Sequence, residues 1–126
     1  MTGLWYNHSP QGCSTMNVIN RVDTGAFTGQ YSNGQSGWCA KSGDWFPLTG
    51  ALTSENAITF TVKWKNSSTD CNSTAVWTGN KKDKLIKTKW VLTSSTRDPV
   101  TGSDTFTRDC QCRRCPEPEV KSKTNN

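Results

Sequence analysis

Long apolar runs are missing from this chain. No stretch approaches the ~20 residues that a helix needs to cross a bilayer, so no membrane partner is expected. Aliphatic material is scarce as well: 32% of residues are hydrophobic and the mean hydropathy is −0.72, too little for a thick two-layer core. Helical periodicity is absent, since no apolar stripe persists at ~3.6-residue spacing. Histidine is reduced to His8 alone, and no Cys–His or Ser–His–Asp constellation can be built around it, so the chain does not read as an enzyme. A clustered basic face is missing too. The net charge of +5 comes from scattered side chains. Lys63, Lys65, Lys87 and Lys89 alternate with apolar residues, as on the solvated face of strands, and nucleic acid is not the expected partner.

What the sequence does have is alternation of period two. In AITFTVKWK, Ile58, Phe60, Val62 and Trp64 share one face while Thr59, Thr61, Lys63 and Lys65 share the other. LIKTKWVLTS sets Ile86, Thr88, Trp90 and Leu92 against Lys87 and Lys89, and AFTGQYSN aligns Phe27, Gly29, Tyr31 and Asn33. Candidate strands lie near 3–8, 14–20, 26–33, 46–53, 57–66, 73–80, 85–94 and 103–110. Asp23-Thr-Gly25, Gly79-Asn80 and Asp98-Pro99 are the turn signals between them. The expectation is an all-β chain, an eight-stranded antiparallel up-and-down barrel that removes its own edges by closing. A filled β-sandwich is the alternative. Against it stand Asn7, Ser14, Tyr31, Asn33, Ser73 and Asp104, inward and near strand ends. A dry core would leave each unsatisfied at about 1–3 kcal/mol.

Six tryptophans in 126 residues point to an aromatic-lined interior, because each joins a large apolar face to one N–H donor. Six cysteines point to an oxidising compartment. With no leader before Met1, the expectation is a mature secreted protein. Asn7, Asn66 and Asn72 each begin a glycosylation sequon.

Six co-linear segments carry a family likeness: WYN at 5–7, FTGQY at 27–31, TVKWKN at 61–66, NSTAVWTG at 72–79, TKWVLTS at 88–94 and SDTFT at 103–107. Together they resemble the avidin and streptavidin family of biotin-binding proteins over residues 3–108. The resemblance implies a non-catalytic, high-affinity binder of free biotin in the barrel mouth, with no cofactor and no metal. It further implies that Asn7, Ser14 and Tyr31 donate to the ureido oxygen, with Ser9 as the alternative serine across a short insertion. Asp104 and Asn33 would accept from the ureido nitrogens. Trp64, Trp77 and Trp90, with Leu92, would box the sulfur-containing ring, and Ala75 stands where the family has a threonine facing the sulfur. Ser73 and the loop of Gln35, Ser36, Gly37 and Trp38 would receive the valerate carboxylate. The stretch 66–79 resembles a loop over the mouth. Cys39 and Cys71 sit where rhizavidin-like dimeric members carry loop cysteines, which implies a disulfide between them.

The chain departs from the family between Leu92 and Asp104. LTSSTRDPVTGSD is short and lacks the tryptophan that caps a neighbouring subunit's ligand, so a homodimer is expected over a tetramer, with Trp38 as a lid from within the chain. Residues 1–109 form the expected barrel domain. Residues 110–126, rich in Pro, Lys and Asn, read as a largely flexible tail. Cys13, Cys110, Cys112 and Cys115 make an even set with three possible pairings, and a four-thiolate zinc site is the alternative use of them. Two other functions compete with biotin binding: a lipocalin-like barrel carrying another small apolar ligand, and a carbohydrate-binding module with exposed tryptophans. The inward phase of Trp64, Trp77 and Trp90 above Asp104 favours biotin.

Overall fold

Strands of period-two sequence bury one face only, and closing the sheet on itself turns all those faces toward a common interior. The computed structural model describes residues 1–9, 12–34 and 38–110. In it β1 (Gly3–Ser9), β2 (Gly12–Arg21), β3 (Ala26–Ser32), β4 (Phe46–Leu52), β5 (Ala57–Lys65), β6 (Asp70–Lys82), β7 (Leu85–Ser94) and β8 (Val100–Thr107) pair in chain order as a closed antiparallel barrel. No helix occurs among the described residues. Of the tail expected at 110–126, residues 111–126 lie outside them.

Burial follows the alternation read from the sequence, with Ile58, Phe60, Val62 and Trp64 inward on β5 and the residues between them more open. The shortage of aliphatics is met by rings: Trp5, Phe46, Phe60 and Phe106 are among the largest fully buried side chains. Each such ring buries ~150–250 Å², about 4–6 kcal/mol of transfer free energy at ~25 cal/mol per Å². Phe60 stacks on Trp77 at a centroid distance of 4.9 Å, and Phe106 meets Phe60 edge-on at 5.9 Å.

Several strand ends differ from expectation, two of them with consequences for the connections. Gly79-Asn80 is not a turn, because β6 continues to Lys82 and the reversal falls at Asp83, whose φ is +53°. Gly79 instead serves the β6–β7 pair: a Cβ there would lie 1.9 Å from the Lys87 carbonyl oxygen. The last strand begins at Val100 rather than 103, so the β7–β8 connection is only residues 95–99.

Closure is narrowest between β1 and β8, where a single register pair, Tyr6 with Thr107, joins the two strands. Arg108 reinforces this seam. Its guanidinium donates to the carbonyls of Leu4 at 3.0 Å and Thr2 at 2.9 Å. It also lies 4.0 Å from the Trp5 ring centroid, within the range of a cation–π contact. The alternating connections of this topology put both chain ends and the β2–β3, β4–β5 and β6–β7 turns at that closed end. The other four connections gather at the opposite end, around an open mouth.

Candidate ligand-binding site

A cavity of about 400 Å³ opens at the mouth end. Its floor takes one polar side chain from each of β1, β2, β3 and β8: Asn7, Ser14, Tyr31 and Asp104. Asn33, just beyond β3, joins them. Its walls are Trp64 from β5, Ala75 and Trp77 from β6, and Trp90 and Leu92 from β7, with Trp38 from the β3–β4 segment. Adjacent strands thus bring together residues up to 97 positions apart in sequence.

Asp104 organises the floor. Asn7 Nδ2 donates to its Oδ1 at 2.9 Å, and Trp77 Nε1 donates to its Oδ2 at 2.8 Å. The Trp90 ring, on neighbouring β7, lines the cavity beside the same carboxylate. A carboxylate has about four lone-pair sites, so these two donors leave lone pairs free for a ligand. The backbone is braced from β7, where Thr88, the register partner of Asp104, donates its hydroxyl to the Asp104 carbonyl at 3.1 Å. Burial raises the Asp104 pKa above its ordinary 3.8, while the bonds from Trp77 and Asn7 pull the other way.

Tyr31 and Ser14 form the opposite, donating side. Burial, with the Asp104 charge adding to it, pushes the Tyr31 phenol well above its ordinary range, and a hydrogen bond with Ser14 opposes this. The phenol therefore keeps its proton. Ser14 Oγ accepts from the Gly34 N–H at 2.9 Å, which fixes the oxygen and leaves its own O–H to donate. Asn33 is held by donating Nδ2 to the Ala40 carbonyl at 2.9 Å.

The wall rings position one another. Tyr31 lies 4.9 Å from Trp77 and 5.6 Å from Trp64, measured between centroids. Trp38 meets Trp64 edge-on at 5.0 Å, so the mouth-loop tryptophan belongs to the wall rather than to solvent. Gly102, missed by sequence reading, makes space for Trp90. The two are register partners, and a Cβ on Gly102 would sit 2.3 Å from Trp90 Cζ2.

Near the mouth β6 departs from regular pairing. Lys63 pairs with Thr74 but Lys65 pairs with Asp70, so β6 carries two extra residues opposite Trp64. Asn72 within this bulge has φ +53°. Bulges of this kind re-aim side chains beside binding sites. Ser73 accordingly fails to line the cavity, and its Oγ is buried without a hydrogen-bond partner. The 66–79 stretch is thus mostly strand. Only residues 66–69 turn, with Asn66 Oδ1 accepting from the Ser68 and Thr69 amides at 2.9 and 2.8 Å.

Cys39 and Cys71 are bonded, with Cα atoms 5.8 Å apart, and tie the β3–β4 segment to the β6 bulge. Closing a loop of sequence separation 32 contributes about 3–4 kcal/mol in the chain-entropy model. Cys13 and Cys110 are also disulfide-bonded, which takes them out of the four-thiolate zinc alternative. Cys112 and Cys115, and so the pairing of the four, lie outside the described residues, as do Gln35, Ser36 and Gly37. No metal-ligand cluster occurs among the described residues. Two lining residues escaped sequence reading, Arg97 and Val100, both brought to the mouth by the short β7–β8 connection. Asn7 and Asn66 spend amide N–H groups on Asp104 and the Trp45 carbonyl, leaving Asn72 as the exposed sequon.

Known proteins are similar to this chain in sequence and fold. The Avidin family model matches residues 1–109. Afifavidin of Afifella pfennigii is 38% identical over 114 residues, which cover 85% of this chain and 68% of afifavidin. Hoefavidin of Hoeflea phototrophica is 37% identical over 87 residues, 63% of this chain and only about half, 52%, of hoefavidin. The crystal structure of a rhizavidin–biotin complex is similar at a TM-score of 0.72 and 32% identity, covering 85% of this chain and 98% of that one.

The raised Asp104 pKa has a sign that can be checked. The native state holds this proton more tightly than the unfolded chain does, so ionised Asp104 costs stability, and that cost disappears as pH falls through the native pKa. Because Trp77 donates to the carboxylate, the tryptophan emission of the ligand-free protein should titrate with it. The expected midpoint lies above 3.8, and the transition should vanish in Asp104→Asn. A midpoint at or below 3.8, or a transition that survives the substitution, contradicts this environment for Asp104.

Proposed function

The chain belongs to the avidin family, and on that premise we propose that it binds biotin tightly and without catalysis, sequestering it in the barrel cavity. The observation that carries this reading is the split floor: an acceptor at Asp104 faces donors at Tyr31 and Ser14, beneath a box of tryptophans. Biotin's ureido group has one carbonyl acceptor and N–H donors on either side of it. Ser14, Tyr31 and Asn7 take the oxygen, Asp104 uses its remaining lone pair on one N–H, and Asn33 receives the other. Trp64, Trp77 and Trp90, with Leu92 and Ala75, enclose the thioether ring, and Trp38 covers the chain that follows. Such a floor argues against a lipocalin-like apolar cargo, which would strand each polar group at about 1–3 kcal/mol.

Three further readings accompany it. The Cys39–Cys71 bond supports secretion into an oxidising setting. The family match to residues 1–109 supports a barrel domain followed by a separate tail. A homodimer through the outer barrel face is supported by Val76 and Val91, paired across β6 and β7 and 38% and 41% exposed. The short 95–99 connection carries no tryptophan to lid a neighbour's pocket. An interface without that anchor loses much of its energy.

Titrating tryptophan emission with biotin tests the function directly, and no change at stoichiometric ligand would sink it. Asp104→Ala should then weaken binding by about 2–3 kcal/mol, the range for a hydrogen bond to a charged group; a calorimetric loss below about 1 kcal/mol removes Asp104 from the ligand contacts. Replacing both Cys39 and Cys71 by Ser should speed biotin release while the barrel stays folded, because loop ordering then accompanies each binding event. An unchanged off-rate assigns the bridge to stability alone. Light scattering at low micromolar concentration should give the mass of two chains, and a stable tetramer would refute the dimer.

A further inference from the structure

Arg97 is the one charged lining residue that the ureido chemistry leaves without a task. It lies in the 95–99 connection and lines the same cavity as Asp104. Among the described lining residues it is the only cation and Asp104 the only anion. The strand register places them at opposite ends. Asp104 pairs with Thr88, whereas Val100, where β8 begins, pairs with Leu92. Four residues of strand separate those levels, about 13 Å at ~3.3 Å per residue, and Arg97 lies beyond Val100. A ligand whose N–H groups sit at Asp104 and whose ring crosses the tryptophans therefore presents its far end to Arg97.

For biotin that far end is a carboxylate. The serine expected to receive it, Ser73, does not line the cavity. Lys65, another cation at the mouth, is instead 4.0 Å from Asp70 and does not line the cavity. Arg97 itself is in no ion pair among the described residues, although Asp98 follows it. Its guanidinium, a cation with a planar fork of donors, matches a carboxylate in shape and sign. An amide or ester at the same place offers neither the charge nor the second equivalent oxygen.

We propose that Arg97 is a specificity-determining residue that pairs with the free carboxylate of the bound ligand, so that the protein prefers free biotin to forms whose carboxyl group is an amide. The inference rests on the biotin reading above. Arg97 is exposed, so the contact resembles a surface ion pair. An affinity ratio of about 3- to 10-fold follows, from the upper half of the range for exposed pairs to just above it. Added salt should compress it.

The test compares dissociation constants for biotin and biotinamide in the native protein, Arg97→Gln and Arg97→Lys, at low and high ionic strength. The native protein should favour biotin by about 3- to 10-fold at low salt. In Arg97→Gln the ratio should fall toward one, with Arg97→Lys in between, because an ammonium keeps the charge and loses the fork. Reading the ratio cancels any general loss of binding in a variant. Equal ratios in the native protein and Arg97→Gln, with biotin still bound, overturn the assignment of Arg97 and leave the biotin site standing. Failure of the native protein to bind either compound overturns the biotin reading and this inference together.

Discussion

The carboxylate of Asp104 is the constraint to which the rest of the barrel is fitted. A charge placed inside a cavity loses hydration, and burial does raise the pKa of this group. It is kept there by donors from two other strands: Asn7 from β1 and Trp77 from β6. Those bonds also decide where the walls stand. A tryptophan hydrogen-bonded to a carboxylate cannot rotate freely, so the polar floor sets the attitude of the Trp77 wall above it. Gly102 is part of the same requirement, because any side chain there would occupy the volume of the Trp90 ring. The coupling runs from one buried acid, through an indole N–H group, to the shape of an apolar surface.

A barrel with so few aliphatics can hold such a floor because its filler is aromatic and concentrated away from the mouth. Phe60, Phe106 and Trp5 pack the lower interior, and Trp77 bridges the layers by stacking on Phe60 while donating to Asp104. The weakest seam, between β1 and β8, carries both Asn7 and Asp104 on its two sides. Their hydrogen bond therefore crosses the same seam that Arg108 closes from below. Site and closure share one line of contact, so a barrel loosened at this seam would also open its floor.

The alternation of Ile58, Phe60, Val62 and Trp64 made the barrel legible in sequence, because a half-buried strand writes its burial into every second residue. The family likeness then placed the floor, and Asn7, Ser14, Tyr31, Asn33 and Asp104 do meet in one cavity. What escaped was whatever depends on pairing rather than on pattern. Ser73 keeps the inward phase of Ala75 and Trp77, yet two extra residues opposite Trp64 remove it from the cavity, and a bulge has no period to read. Gly79 carries a turn residue's signature but is needed for the close approach of Lys87 across the sheet. Gly102, Arg97 and Val100 were silent for a related reason: their roles come from Trp90 and Leu92 on the neighbouring strand, which sequence spacing does not reveal.

The mouth shows how a single chain can do what an assembly would otherwise do. A pocket open to water loses binding energy if its rim must become ordered each time a ligand enters. Here the rim is ordered in advance by covalent and aromatic means together. The Cys39–Cys71 bond fixes the β3–β4 segment to β6, and Trp38, next in sequence to Cys39, is thereby delivered onto Trp64. Asn66 adds a polar tie from the β5–β6 turn to the Trp45 carbonyl in the same segment. The shortened β7–β8 connection contributes Arg97 and Val100 to the cavity. Three of the four mouth connections thus act on one opening, and the carboxylate at its floor is set against the single cation at its rim among the described lining residues.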